Sequence, residues 1–238
     1  MKVKNRLLNF DKIIYQDDEW FKFSLDSVLL ANFVTINMKC KKIMDLCCGN
    51  APIPMLLVDR TKASIDGVEL QRCVYDLGVE SIRANKLNKQ INLLCADIRN
   101  IKSIYSSDRY DTVVCNPPYF NTNDSGFFND NDVKSIARHE VMVKLDDVVK
   151  NASYLLKTGG NFAMVHRSER FIEIIECLKK YNLEPKRIQY IYPKIGCNSD
   201  LFLIEATKNG NSGVKILPAI VIHNDDNSYT DSVRSMFE

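Results

Sequence analysis

The sequence predicts an α/β fold. The expected form is a seven-stranded, mostly parallel sheet with one antiparallel strand, helices on both faces, and a short N-terminal β-hairpin and helix ahead of it. Three observations predict this. From Lys42 onward, short apolar runs alternate with segments of helical period, the pattern of a parallel sheet with right-handed crossovers. The last two apolar runs, 187–192 and 200–206, have no helix-length segment between them, which predicts an antiparallel hairpin at one edge. A chain of 238 residues is long enough for one such domain and short for two, so 1–238 is expected to form one unit, with an extension over 1–40 and a core over 41–238.

The elements follow in order. Residues 12–16 and 20–23 have strand character around the polar turn Asp17-Asp18-Glu19. Ser24 or Asp26 can cap a helix running to about Thr35, with Val28, Leu29, Leu30 and Phe33 as its apolar positions. Strands are expected at 42–46, 64–68, 91–96, 110–115, 161–165, 187–192 and 200–206. Helices are expected from the turn after Leu46 to about Arg60, and over 70–87, 145–156 and 171–181. Gly159-Gly160 is expected to stop the third of these. Residues 121–132, rich in Asn and Asp, are expected to be a loop.

Composition excludes several classes. The hydrophobic share of 45% and charged share of 26% are ordinary for a globular protein, and no apolar run approaches the roughly 20 residues of a membrane span. Met1–Leu8 is basic but lacks a long apolar stretch and a cleavage site, so a mature cytoplasmic protein is expected, and a monomer. The eight cysteines form no C-x-x-C pair, which favours buried, reduced thiols over disulfides and predicts no metal. A net charge of +2 is no nucleic-acid signature. The stretch 167–194 is locally basic, and Arg167, Arg170, Lys186 and Arg187 form either a solvated face or a phosphate-contacting patch.

In sheets of this kind, ligands bind beyond the carboxyl ends of the strands. The first strand of the core ends in Asp45-Leu46-Cys47-Cys48-Gly49-Asn50-Ala51-Pro52. Its single glycine does not satisfy the G-x-G-x-x-G pattern that seats a pyrophosphate. An acid followed by a compact turn suits a cationic aminoacyl-sulfonium ligand, whose amino group Asp45 can hold while loop amides pack on the methionine portion. Glu69 ends the next strand, 20 residues after Gly49, where a carboxylate can accept from two ribose hydroxyls. Asp97 ends the third, where it can accept from an adenine amino group, with the Ile98 amide facing a ring nitrogen. Each acid alone is an ordinary strand tip or helix cap. Three at successive tips on the binding edge point to one site.

The fourth strand ends in Asn116-Pro117-Pro118-Tyr119-Phe120. An amine conjugated to a ring or carbonyl is a poor nucleophile, because its lone pair is delocalised. The Asn116 side-chain carbonyl and the Pro117 carbonyl can each accept one amino proton, which favours a pyramidal nitrogen with its lone pair turned out of the plane. The prolines fix φ and offer no competing N–H. Tyr119 can stack on the flat target, a contact of roughly 1–3 kcal/mol. Rate then comes from positioning and desolvation, with no strong general base.

Together these motifs resemble the class I, Rossmann-like methyltransferases that use S-adenosylmethionine. The N-P-P-Y form implies adenine-N6 or glutamine-N5 as acceptor. Four further stretches narrow the resemblance to the bacterial tRNA(Val) adenine-N6 methyltransferases: Phe23-Ser24-Leu25-Asp26-Ser27-Val28-Leu29-Leu30-Ala31, Ala137-Arg138-His139-Glu140, Gly159-Gly160-Asn161-Phe162 and Tyr229-Thr230-Asp231-Ser232-Val233. The resemblance implies a tRNA substrate modified at the adenosine 3′ of the anticodon. It implies a cofactor site of Asp26, Asp45, Cys47, Gly49, Asn50, Ala51, Glu69, Leu70, Asp97, Ile98 and Asn116. Arg138 and His139 would lie at the pocket mouth, and 121–132 would form a lid. In that lid Phe127 and Phe128 either stack on nucleotides beside Phe120 and the target or simply anchor the loop. Cys47, Cys48 and Ala51 depart from the glycine-richer loop of the relatives.

Two competing functions stand beside this one. A glutamine-N5 methyltransferase acting on a protein such as a release factor shares the pocket chemistry, but such enzymes carry a helical domain where this chain has only about 40 residues, two segments of which have strand character. A cofactor-binding protein without catalysis, such as an RNA chaperone, would not need Asn116-Pro117-Pro118-Tyr119.

Overall fold

The computed structural model describes residues 2–7, 12–17, 24–118 and 143–237. Strand β1 (Lys2–Arg6) pairs antiparallel with β2 (Ile13–Asp17). This hairpin differs from the expected one. The segment 12–16 is a strand, but its partner precedes it in the chain, and 20–23 lies outside the described residues. A charged strand such as Lys-Val-Lys-Asn-Arg holds its place because β2 is clamped on its other edge by helix α3 (Arg72–Ala84). The Tyr15 amide donates to Ser81 Oγ at 2.9 Å, and the Ile13 amide to Asn85 Oδ1 at 2.8 Å, while Asn85 Nδ2 donates to the Ile13 carbonyl at 2.6 Å. Asn85→Ala removes both halves of the Ile13 clamp. Unfolding by urea should show a loss of about 2 kcal/mol, with amide-exchange protection at Ile13 falling first. Unchanged protection there would assign the hairpin's anchorage to Ile14 packing alone.

Helix α1 (Leu25–Phe33) follows, then β3 (Lys42–Asp45), α2 (Pro52–Leu57), β4 (Ser64–Glu69), α3, β5 (Ile91–Cys95) and β6 (Tyr110–Cys115). After the undescribed stretch come α4 (Leu145–Leu155), β7 (Leu156–Arg167), α5 (Phe171–Lys180), β8 (Leu183–Tyr192), β9 (Leu201–Lys208), β10 (Lys215–Ile216), β11 (Ile220–Val221) and α6 (Asp231–Arg234). The main sheet runs β10-β8-β9-β7-β6-β3-β4-β5, with β11 also on β8. All neighbours are parallel except β9, which is antiparallel to both β7 and β8.

The fold class is the expected one, with two corrections in detail. The described sheet has nine strands, because β10 and β11, two residues each, continue it beyond β8. The β8–β9 hairpin is therefore not the edge, and β9 is inserted between β7 and β8. Gly159-Gly160 also does not stop a helix. Helix α4 ends at Leu155 and β7 begins at once, and the pair stands where β7 shifts register against Tyr110 and Thr112. Gly159 supplies the positive φ of 80° that this bulge requires.

Two apolar clusters fill the space on either side of the sheet. One gathers α1, α2 and Ile82 of α3 with Leu7, Ile14, Val233 and Phe237. The other gathers Val148, Val149, Ile174 and Leu178 of α4 and α5 against β6, β7 and β9. The eight cysteines are all free, but only Cys48 and Cys115 are fully buried, and Cys197 is exposed. Among the described residues no helix is long and apolar enough to cross a membrane, and no group of three metal-ligating side chains is found.

Candidate active site

The chain leaves β3 toward β4 and β5 on one side and returns to β6 on the other, so the strand order reverses between β3 and β6. The crevice beyond their carboxyl ends is where a ligand fits. The structure brings Asp45 and Asn116 to this crevice from adjacent strands, with the Leu46 amide donating to the Val114 carbonyl at 3.0 Å.

The loop after Asp45 is tight. The Cys48 amide donates to the Val68 carbonyl, and the Ala51 amide to the Cys48 carbonyl at 2.8 Å. Gly49 has φ 55°, and the space where a Cβ would stand is open. Ala51 caps α2 with φ 71°, a left-handed conformation costing an alanine about 1–2 kcal/mol, and its methyl is buried. Asn50 is buried and donates to the Tyr15 carbonyl at 2.8 Å, tying the loop to the N-terminal hairpin.

Asp45 is fully buried, and among the described residues neither carboxylate oxygen has a hydrogen-bond partner of full geometry, the Cys47 amide lying only near it. Burial pushes its pKa up to about 8, with the Cys47 amide offsetting part of the effect and the Glu69 charge adding to it. A buried acid with no well-formed hydrogen bond is costly unless a cation meets it. Glu69 is better satisfied. Its two oxygens accept from the Gly49 amide at 3.0 Å and the Gln71 amide at 2.8 Å, while burial raises its pKa. Glu69 thus braces the Asp45 loop, a role the sequence reading missed, and each oxygen keeps a further lone pair for a hydroxyl. Leu70, beside it, is exposed.

Asp97 ends β5's extension and caps the following turn, accepting from the Arg99 amide at 2.8 Å. Its carboxylate is also held by the Arg99 guanidinium, the largest cause of its lowered pKa. Asp97 is therefore not a bare acceptor, and a ligand amino group would have to compete with Arg99. The Ile98 turn is fixed from behind by Asn151, whose amide donates to the Ile98 carbonyl at 3.0 Å.

Beyond β6, Pro117 is buried and Pro118 exposed, and Asn116 Nδ2 donates to Ser27 Oγ on α1 at 3.4 Å. Asp26 sits in the same first turn of α1. Ser27 is a second residue the sequence reading did not single out. It lay inside the stretch Phe23–Ala31 that carries the resemblance, but its facing is known only once α1 folds over the crevice.

Tyr119, Phe120, Phe127, Phe128, Arg138 and His139 lie outside the described residues, as does the expected lid. The four basic residues of 167–194 are not gathered into one surface. Arg167 ends β7 opposite Leu201, whereas Arg187 lies opposite Glu205, four residues away on β9 or about 13 Å along the strand. Arg187 is an internal bridge: it donates to the Phe33 carbonyl and Glu205 at 3.1 Å, and stacks 4.5 Å over the Phe33 ring. Arg170 pairs with Glu173, and Lys186 donates to the Asn211 carbonyl at 3.0 Å. Charge alone grouped residues that the sheet separates, so the four do not form one patch.

Comparison with known proteins bears on the fold and the family. A tRNA1(Val) (adenine(37)-N6)-methyltransferase of Bacteroides fragilis is 25% identical over 226 residues, 94% of each chain. A protein of the same name from Parabacteroides distasonis is 27% identical over 195 residues, 80% of this chain and 79% of that one. Among solved structures, a predicted O-methyltransferase of Agrobacterium tumefaciens is similar with TM-score 0.71 at 20% identity, over 89% of this chain and 95% of that one. A geranyl diphosphate methyltransferase in complex with SAM gives TM-score 0.57 at 13% identity, over 76% and 84%. Likenesses at that identity bear on the fold alone, and it is the fold built here from the strand order. The family model of the methyltransferase small domain matches residues 22–184, from α1 through the β3–β6 crevice to β8, and the chain belongs to that family.

Proposed function

We propose that this protein transfers a methyl group from S-adenosylmethionine to the N6 amino nitrogen of an adenosine in tRNA, the one 3′ of the anticodon in tRNA(Val). The observation that carries the reading is the pairing, at the switch point of the sheet, of a buried acid with no well-formed hydrogen bond and Asn116-Pro117-Pro118. The names of the relatives, which align over most of both chains, support the choice of acceptor.

The residues present fit this cofactor. Asp45 would neutralise its amino group, the Cys47–Ala51 loop would pack on its methionine portion, and Glu69 would accept from its ribose. Leu70, Ile98 and, after displacement of Arg99, Asp97 would meet the adenine, with Asp26 closing the cofactor side and Asn116 standing at its border with the acceptor, toward which its amide aims. When bound, the sulfonium supplies an electrophilic methyl. The chain's own task is to hold the acceptor amine. Asn116 Oδ1 and the Pro117 carbonyl accept its two protons, and the proline ring excludes water from the nitrogen's other side. Arg167, at the carboxyl end of β7, and Arg170 after it would be the cations offered to phosphates.

Unmodified tRNA(Val) transcript and a release factor, each incubated with methyl-labelled S-adenosylmethionine, test this. Label is expected in the RNA, at the adenosine 3′ of the anticodon, and none in the protein. Label confined to the release factor refutes the RNA reading.

A further inference from the structure

Asn116 has an orientation problem that its chemistry makes acute. A primary amide presents an acceptor on one side and a donor on the other, and a half-turn about its terminal torsion exchanges them with little change of shape. An approaching amino group brings two protons. With Oδ1 forward the amide accepts one of them; with Nδ2 forward, donor faces donor and the amine is repelled. The active rotamer therefore needs an acceptor behind Nδ2.

The Ser27 hydroxyl stands in that place and in the structure accepts there, although a hydroxyl can also donate, so it is the observed arrangement that turns the carbonyl forward. Asn116 Nδ2 donates to Ser27 Oγ at 3.4 Å, and Ser27 is buried. The C-terminal end of α1, a turn and more beyond Ser27, is anchored by side chains from elsewhere in the fold. Arg60 donates to the Ala31 carbonyl and, at 3.0 Å, to the Val34 carbonyl. Arg187 donates to the Phe33 carbonyl, and Glu205 accepts from the Thr35 amide at 2.7 Å and its hydroxyl at 2.8 Å. Arg60 after α2, Arg187 on β8 and Glu205 on β9 thus hold the C-terminal end of the helix and the residues just beyond it.

We infer that Ser27 is a positioning residue, whose hydroxyl oxygen holds the Asn116 amide with its carbonyl turned toward the acceptor amine. The inference rests on the proposed transfer to a conjugated amino nitrogen. One neutral hydrogen bond sets the size of the effect, about tenfold in rate.

Ser27→Ala tests it, read by single-turnover methylation of tRNA(Val) transcript, cofactor affinity by calorimetry, and the Asn116 side-chain amide protons in 15N-edited spectra. The expected result is a rate about tenfold lower, cofactor affinity within about twofold of the parent, and lost exchange protection of the Asn116 amide protons. Ser27→Thr keeps the oxygen and should restore most of the rate. An unchanged or faster rate in Ser27→Ala overturns the inference, as does a loss matched by cofactor affinity, or a threonine variant of parental cofactor affinity no better than alanine. If the parent itself methylates no tRNA, the functional reading fails. The amide-proton measurement still decides the Ser27 contact in that case.

Discussion

Asn116→Ala is expected to lower methyl transfer on the order of 10²–10³-fold, the scale on which losing one preorganised polar contact at a reacting centre is felt. Cofactor affinity should stay within about threefold, since the neutral side chain aims at the acceptor. The loss should appear in kcat under saturating cofactor, because an acceptor for an amino proton matters most as the nitrogen pyramidalises. Asn116→Asp keeps an acceptor oxygen and should recover part of the rate. Pre-steady-state transfer beside calorimetric binding separates the two quantities. Parallel loss of binding in Asn116→Ala would place this residue with the cofactor instead.

Asp45→Asn should have opposite effects on binding and on stability. Asp45 is fully buried with its pKa up to about 8, against 3.8 in the unfolded chain. Between those values the folded state keeps a proton that the unfolded state releases. Stability of the free protein therefore falls as pH rises from about 4 to about 8, and the penalty is complete above 8. At neutral pH it is on the order of 4 kcal/mol, since each unit corresponds to about 1.4 kcal/mol. Asparagine carries no such charge, so the variant should be more stable at pH 8 and show a flatter pH profile of denaturant midpoints. Its cofactor affinity should drop at least about 100-fold, because the carboxylate is the only anion that meets the ligand's amino group in this reading. In the parent, affinity should rise with pH toward 8, as binding favours the ionised acid and expels its proton. A variant that binds normally, or a parent whose stability climbs with pH over this range, would show that Asp45 is no cation receptor.

The parts of this molecule written in local sequence were readable, and those written in tertiary partnership were not. The strand tips Asp45, Glu69 and Cys115-Asn116 could be located because short apolar runs end abruptly at them and the parallel order then fixes their edge. Strand β1 could not, since Lys-Val-Lys-Asn-Arg shows no apolar alternation and owes its place to Ser81 and Asn85, more than 60 residues away. The placement of β9 between β7 and β8 was equally hidden, because pairing order inside a sheet leaves no periodic mark. Arg187 shows the limit for charges. A cation in a basic stretch looks available to phosphate until the fold gives it Glu205 and the Phe33 ring. Ser27 faces Asn116 across 89 positions, a relation that only the folded α1 creates.

The slot filled by β9 bears on how this chain is made. A ribosome delivers β7 and β8 before β9, yet within the described sheet the two are hydrogen-bonded only through it. Until residues 201–208 emerge, the Phe162–Val165 segment of β7 presents a bare row of amides and carbonyls on an apolar, fully buried-to-be strand. The nascent protein thus passes through a stage in which its sheet is open along β7 and adhesive to any passing strand. Residues 201–208 serve as the closure of that seam, and a chain ending before Leu201 should yield an aggregating fragment rather than a weakened enzyme.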